Sequence, residues 1–139
     1  MTSYPKRMHT ALDATDARGL AEFYRELLGL RYRDGDEPPG DGVEDDADWL
    51  VLVDDAGNRQ LAVQRVDELP ASTWPAPGVP KQLHIDYAVP SVNELQRHRQ
   101  RAEELGATLL LDRTSEESEP LYVLADPAGH PFCLLVGVA

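Results

Sequence analysis

The chain has 139 residues, which is long enough for one compact domain with a substantial apolar core. Its 13 Lys and Arg residues against 25 Asp and Glu residues give a formal net charge of −12, which argues against nucleic acid and anionic membranes as partners. Cys133 is the single cysteine and cannot form an internal disulfide, and the sequence shows neither a signal segment nor a long apolar stretch, so we expect a cytoplasmic protein.

The first half of the chain predicts a strand, a helix and three further strands. A strand over residues 8–14 precedes an amphipathic helix that begins near Asp16 and ends at Gly29, a residue type that commonly terminates helices. Apolar side chains with helical spacing form one face of this helix: Leu20, Phe23, Tyr24, Leu27 and Leu28. Three later apolar segments predict strands at about 30–34, 48–53 and 60–66.

The second half repeats this order. A strand over residues 82–89 precedes a helix that starts with a capping box, Ser91 to Glu94, and ends at Gly106. A similar turn sequence also precedes the last strand of each half, DDAGN in the first and DPAGH in the second. The order therefore predicts two copies of a βαβββ unit in an α+β chain. The remaining strands of the second half are predicted at 107–112, 121–125 and 131–136.

Three segments fall outside the repeat, and the shortest is a polar loop at residues 113–119. Residues 34–48 are acidic and rich in Pro and Gly, which predicts a loop. Residues 67–81 contain four prolines, which predicts a stiff, extended connector. We therefore predict a single domain over residues 1–139, with module 1 at about 7–66, the connector at 67–81 and module 2 at about 82–137.

Each predicted module carries a histidine in its first strand, His9 and His84. Strand alternation places His9 and Asp13 on one face of the first strand, and His84 and Asp86 on one face of the fifth. The opposite face of the fifth strand is apolar and must pack beneath a helix. The two histidines are therefore expected to point away from the helices, toward one shared concave face.

The closing strands of the modules offer further side chains to that face. Alternation places Gln64 of the fourth strand with the histidines, together with Ala62, and it separates Cys133 of the eighth strand from its apolar neighbours. Two interpretations of Cys133 stay open, a metal-ligating thiolate or a small buried apolar side chain. Trp49 and Trp74 are candidates for stacking on a flat ligand, and both are equally suited to filling a core or an interface.

Seven sequence segments, distributed over nearly the whole chain, resemble the vicinal oxygen chelate superfamily, which includes glyoxalase I, extradiol dioxygenases and bleomycin-type resistance proteins. The segments are FYRELLGL, DWLVL, LAVQRV, TWP, QLHID, LGA and DPAGHPFCL. Within the superfamily the chain is most similar to small glyoxalase-like domains common in actinobacteria. The resemblance implies tandem βαβββ modules that form a curved mixed sheet around a central cup, and a homodimer.

The resemblance also implies a set of metal ligands. His9 and His84 match the two opening-strand ligands, and Gln64 matches the first closing-strand ligand, with Ala62 as the register alternative. Cys133 occupies the position where metal-binding members carry a glutamate. Such a set implies a divalent ion, Zn, Ni, Co, Mn or Fe, and a metal-free protein is the alternative.

Two functions follow from these expectations. The first is a metal-dependent isomerase or lyase, in which Asp86 acts as a base on the bound substrate or orients a histidine. A dioxygenase is not expected, because the usual anionic ligand is missing. The second is a metal-free protein that sequesters an antibiotic-like small molecule, with Trp49, Trp74, Asp13 and Cys133 lining the pocket.

Overall fold

The computed structural model describes residues 3–137, and the chain divides after Leu69 into two compact units, called unit 1 and unit 2 below. Unit 1 contains β1 (Thr10–Ala14), α1 (Ala17–Leu28), β2 (Arg31–Tyr32), β3 (Trp49–Val53) and β4 (Arg59–Arg65). Unit 2 contains β5 (Ile85–Val89), α2 (Val92–Glu104), β6 (Thr108–Asp112), β7 (Leu121–Ala125) and β8 (Pro131–Val136). The prediction of tandem βαβββ modules in an α+β chain is confirmed.

The strands of each unit form their own four-stranded mixed sheet. The strand order is β1-β4-β3-β2 in unit 1 and β5-β8-β7-β6 in unit 2. In both sheets the opening strand pairs in parallel with the closing strand, and the other pairs are antiparallel. This topology brings side chains of the opening and closing strands next to one another, with Ala11 opposite Ala62 in unit 1 and Asp86 opposite Cys133 in unit 2.

Helix α1 is held by an apolar face and by caps at both ends. The Asp16 carboxylate accepts a hydrogen bond from the backbone N–H of Gly19, and Gly29 ends the helix in the left-handed region with φ of 66°. The buried side of the helix packs on strands β1, β3 and β4. That side is formed by Ala17, Leu20, Ala21, Phe23, Tyr24 and Leu27.

Helix α2 starts as the capping-box pattern predicts, because Ser91 Oγ accepts a hydrogen bond from the backbone N–H of Glu94 at 3.2 Å. Its buried residues are Leu95 and Ala102. The chain leaves the helix through Gly106, whose φ of 119° is a conformation that side chains disfavour.

The acidic loop over residues 34–48 is tied to α1 by one arginine. The Arg18 guanidinium donates to Asp45 Oδ2 at 2.6 Å and to the backbone carbonyl of Asp36 at 2.6 Å. The Asp36 carboxylate in turn accepts a hydrogen bond from the backbone N–H of Val51 at 2.9 Å. The loop is therefore fastened both to a helix and to the centre of the unit 1 sheet.

Several strand boundaries differ from the predictions. Strands β1 and β5 begin at Thr10 and Ile85, where pairing with the closing strands starts, so His9 and His84 each stand one residue before a strand. Strand β2 is shorter than predicted, because the backbone N–H of Asp36 donates to the carbonyl of Arg33 and closes a turn. Within residues 3–137, no helix has the length and apolarity that crossing a bilayer would require.

Candidate functional site

Unit 2 brings three metal-ligating side chains together, those of His84, Asp86 and Cys133. Asp86 and Cys133 are register partners in the parallel pair of β5 and β8, and His84 lies two residues before Asp86. One ligand atom from each of the three residues lies within 4.8 Å of the other two. The pair His84 Nε2 and Asp86 Oδ1 is separated by 3.4 Å.

The three side chains differ in their access to solvent. Cys133 is 7% exposed, whereas the side chains of His84 and Asp86 are 36% and 59% exposed. The cluster therefore has a buried thiol at its base and an imidazole and a carboxylate at its rim. A molecule arriving from solvent reaches the histidine and the aspartate first.

Burial raises the pKa of the Cys133 thiol to about 11, and the hydrogen bond with Asp86 and its negative charge act in the same direction. Lys81 opposes the rise in this pKa, and Glu119 adds to it. At neutral pH the thiol therefore keeps its proton. A protonated, buried thiol is a poor nucleophile, so the cluster is not arranged for attack by a free cysteine.

The donor set and its spacing fit a divalent metal ion. Two donor atoms bound to one tetrahedral zinc ion at roughly 2.0–2.2 Å lie about 3.4 Å apart. The observed separation of His84 Nε2 and Asp86 Oδ1 is 3.4 Å, so these two atoms already have a suitable spacing. A nitrogen, an oxygen and a sulfur donor together suit a borderline ion such as Zn²⁺ or Co²⁺.

Trp74 and Lys81 form a second pair in unit 2. The ammonium group of Lys81 lies 4.0 Å from the centre of the Trp74 ring, a cation–π contact. The positive charge of Lys81 also acts on the Cys133 thiol, which places this lysine in the electrostatic surroundings of the cluster. One face of Trp74, predicted to stack on a ligand, is therefore covered by a cation of the same chain.

The predicted site residues of unit 1 share one face of its sheet. The His9 ring meets the Trp49 ring edge-on with centroids 5.6 Å apart. Gln64 of β4 has Asp13 of β1 and Trp49 of β3 as its register partners on either side. Ala62 is fully buried and offers no ligand atom, so of these two residues only Gln64 presents a polar side chain on this face of β4.

The imidazole of His9 combines a buried nitrogen with a lowered pKa. Nδ1 is buried and has no hydrogen-bond partner among the described residues. Burial lowers the pKa of His9, and the positive charges of Arg59 and Arg33 act in the same direction. His9 is therefore a neutral imidazole near pH 7, the form that binds metals and accepts hydrogen bonds. A single pocket formed by residues of both units stays a prediction.

The sequence pattern placed His84 and Asp86 on one face of the fifth strand and offered Cys133 from the eighth, but it did not pair Asp86 with Cys133. Residue alternation fixes the face of each side chain but not its partner strand, so the pair became visible only in the structure. Lys81 was missed altogether. It belongs to the connector predicted at 67–81, whose path depends on tertiary contacts that local periodicity does not encode.

Comparison with solved structures places the fold in a known class. A fosfomycin resistance protein from Listeria monocytogenes matches with a TM-score of 0.66 and 17% identity, over 99% of this chain and 96% of that chain. A lactoylglutathione lyase from Agrobacterium tumefaciens matches with a TM-score of 0.61 and 18% identity, over 98% and 96%. A glyoxalase/bleomycin resistance protein/dioxygenase family enzyme from Burkholderia phytofirmans matches with a TM-score of 0.67 and 13% identity, over 94% and 98%. At these identities the likeness shows the fold alone, the glyoxalase/bleomycin resistance/dioxygenase fold.

A protein-family model narrows the assignment. The model described as a glyoxalase-like domain matches residues 9–135. The chain therefore belongs to the glyoxalase-like domain family. No curated protein sequence matches it. The family is consistent with small-molecule binding, while homodimer formation and a cytoplasmic location stay predictions.

Proposed function

We propose that this glyoxalase-like protein binds a divalent metal ion through His84 and Asp86 and uses it in an isomerase or lyase reaction on a small molecule. The observation that carries the proposal is the 3.4 Å separation of His84 Nε2 and Asp86 Oδ1 at a solvent-accessible rim. A solved structure of the fosfomycin resistance protein from Listeria monocytogenes contains Mn(II) and sulfate, which supports metal use within the fold class.

His84, Asp86 and the neighbouring Lys81 each have a defined part in such a reaction. His84 donates a lone pair from its imidazole, and Asp86 supplies negative charge through the carboxylate oxygen nearest His84. The other carboxylate oxygen of Asp86 remains free to accept a proton from a bound molecule, because this side chain is 59% exposed. When bound, the ion supplies Lewis-acid stabilisation of negative charge on a substrate oxygen. Lys81 adds positive charge beside the cluster, which favours an anionic substrate.

Metal analysis of purified protein tests this proposal. The native protein, purified without chelator and incubated with Zn²⁺, Ni²⁺, Co²⁺ or Mn²⁺, is expected to retain stoichiometric metal after desalting. His84→Ala is expected to lose it, because the substitution removes a ligand. His98→Gln is the matched control, since His98 lies in α2 of the same unit and outside the cluster. Absence of retained metal in the native protein would contradict the proposal.

A metal-free binding protein is the second candidate function, and the state of Cys133 favours it. Without an ion, the protonated thiol already has Asp86 as its hydrogen-bond partner, so the cluster needs no metal to satisfy it. Such a protein would sequester a flat molecule beside Trp49 or Trp74. Ligand-dependent quenching of tryptophan fluorescence in metal-free protein, lost in Trp49→Phe or Trp74→Phe, is the expected signature.

A further inference from the structure

Cys133 lies at a position that the fold can fill with a smaller, inert side chain. In unit 1 the register pair that corresponds to Asp86 and Cys133 is Ala11 and Ala62. Ala62 is completely buried there, and the same parallel ladder forms around it. Packing therefore requires neither a thiol on β8 nor a carboxylate beside it on β5.

The thiol is also directed at the cluster. Cys133 is buried, and its sulfur lies within 4.8 Å of the ligand atoms of His84 and Asp86. A zinc–sulfur bond of about 2.3 Å and a zinc–nitrogen bond of about 2.0 Å place these donors roughly 3.5 Å apart. Side-chain adjustments of about 1 Å are therefore sufficient to bring all three donor atoms onto one ion.

We propose that Cys133 binds, as a thiolate, the same ion as His84 and Asp86, so that unit 2 carries a site for a thiophilic metal such as Zn²⁺ or Co²⁺. The inference rests on the proposed metal site and adds its metal preference. Thiolate ligands favour Zn²⁺ over hard ions such as Mn²⁺ and Mg²⁺. The metal used by this chain then differs from the Mn(II) present in the listerial fosfomycin resistance protein.

Charge balance supports the same ligand set. A neutral imidazole, a carboxylate and a thiolate together carry two negative charges, which neutralise a divalent ion in a partly buried site. Cys133 would give up its S–H proton on binding the ion, and this proton would leave to solvent through the second carboxylate oxygen of Asp86, whose side chain is 59% exposed. No electron is transferred and no further reactant is needed.

Cobalt spectroscopy of the full-length protein tests the assignment. Metal-free protein titrated with Co²⁺ is expected to develop a thiolate-to-cobalt charge-transfer band in the near ultraviolet. Zn²⁺ is expected to abolish this band at stoichiometric amounts, whereas excess Mn²⁺ leaves it unchanged. Cys133→Ser is expected to remove the band and to weaken Zn²⁺ binding by more than about 100-fold, because loss of a mere outer-shell partner already costs 10–100-fold.

Two further variants separate the loss of a metal ligand from the loss of folding or of surface charge. Cys133→Ala reproduces the residue that unit 1 carries at the equivalent position, so it is expected to fold, with an unchanged circular dichroism spectrum, and to lack the band. Glu117→Gln removes an exposed carboxylate of the same unit and is expected to keep the band. Stoichiometric Co²⁺ binding without a charge-transfer band overturns the role of Cys133 and leaves the proposed metal site intact. Absence of Co²⁺ binding overturns both.

Discussion

Helices α1 and α2 follow the opening strand of their respective modules, yet they are held to their sheets in different ways. Helix α1 buries six side chains, whereas the buried residues of α2 are Leu95 and Ala102. Both helices also carry ion pairs on their surfaces, between Arg25 and Glu22 at 2.7 Å in α1 and between Arg97 and Glu94 at 2.6 Å in α2. An exposed ion pair contributes about 0–1 kcal/mol, and a buried leucine contributes about 1.5–3 kcal/mol. One module therefore anchors its helix with many contacts and the other with few.

The sheets of the two units differ in the side chains at one pair of register positions. Unit 1 has alanines at the paired positions of its opening and closing strands, where unit 2 has Asp86 and Cys133. Unit 2 thus combines the more weakly packed helix with the more reactive set of side chains. The two copies of a duplicated fold can therefore carry different side chains at equivalent positions. Their strand ladders depend on backbone pairing more than on these particular side chains.

The largest expected change in stability is that of a substitution in α2, and it tests the difference in burial between the two helices. Leu95→Ala is expected to lower the free energy of unfolding by about 2–5 kcal/mol, because the side chain is fully buried and its loss leaves a cavity. Since Ala102 is the other buried residue of α2, amide hydrogen exchange in this helix is expected to accelerate strongly. Urea denaturation and hydrogen exchange measure the two effects.

Leu20→Ala in α1 is the matched control for this variant. Leu20 is also buried, so a similar loss of global stability is expected, but five other buried side chains still hold α1. Amide exchange in α1 should therefore rise less than amide exchange in α2 does in the Leu95 variant. Equal loss of exchange protection in the two helices would show that contacts other than those of Leu95 and Ala102 hold α2 on its sheet.

Local patterns in the sequence predicted the elements, whereas contacts between distant residues came from the structure alone. Both glycines at the predicted helix ends have positive φ, as their positions after the last helical turn require. The contact between Arg18 and Asp45 could not be predicted, because 27 residues separate them and the loop between has no periodicity. The register of Asp86 with Cys133 is equally remote, since residue alternation fixes a face but not a partner strand.

Each unit carries a tyrosine at a strand position where the other unit has a leucine. Tyr32 of β2 corresponds to Leu109 of β6, and Tyr87 of β5 corresponds to Leu12 of β1. Burial raises the pKa of Tyr32 to about 12, with a hydrogen bond to Glu22 adding to the rise and Arg18 opposing it. Burial also raises the pKa of Tyr87 well above its ordinary value.

These raised pKa values predict a loss of stability at alkaline pH. The folded state keeps the phenol protonated when the unfolded chain has already lost the proton. The stabilisation is therefore complete below pH 10 and is lost as the pH rises toward about 12. For Tyr32 the expected loss is about 3 kcal/mol, because its pKa rises from 10.0 to about 12 and a tenfold change in the ionisation constant corresponds to about 1.36 kcal/mol. Tyr32→Phe should reduce the fall in the free energy of unfolding between about pH 10 and 12. If urea denaturation of this variant shows the same fall as the native protein, Tyr32 is not the group responsible.

The smallest expected effect concerns the turns before the closing strands, which are built alike but buried differently. Asp54 Oδ1 accepts hydrogen bonds from the backbone N–H groups of Ala56 and Asn58, and Asp126 Oδ1 accepts the equivalent bonds from Ala128 and His130. Asp126 is 4% exposed, whereas Asp54 is partly accessible to water.

Asp126→Ala is therefore expected to lower the free energy of unfolding by about 1–3 kcal/mol, because two partly buried backbone N–H groups lose a buried acceptor. In Asp54→Ala, water can replace the carboxylate, so a smaller loss is expected. Asp126→Asn keeps an acceptor oxygen at the same place and should recover part of the stability. Thermal and urea denaturation of the three variants provide the measurement. A larger loss for Asp54→Ala than for Asp126→Ala would mean that burial does not set the strength of this repeated turn.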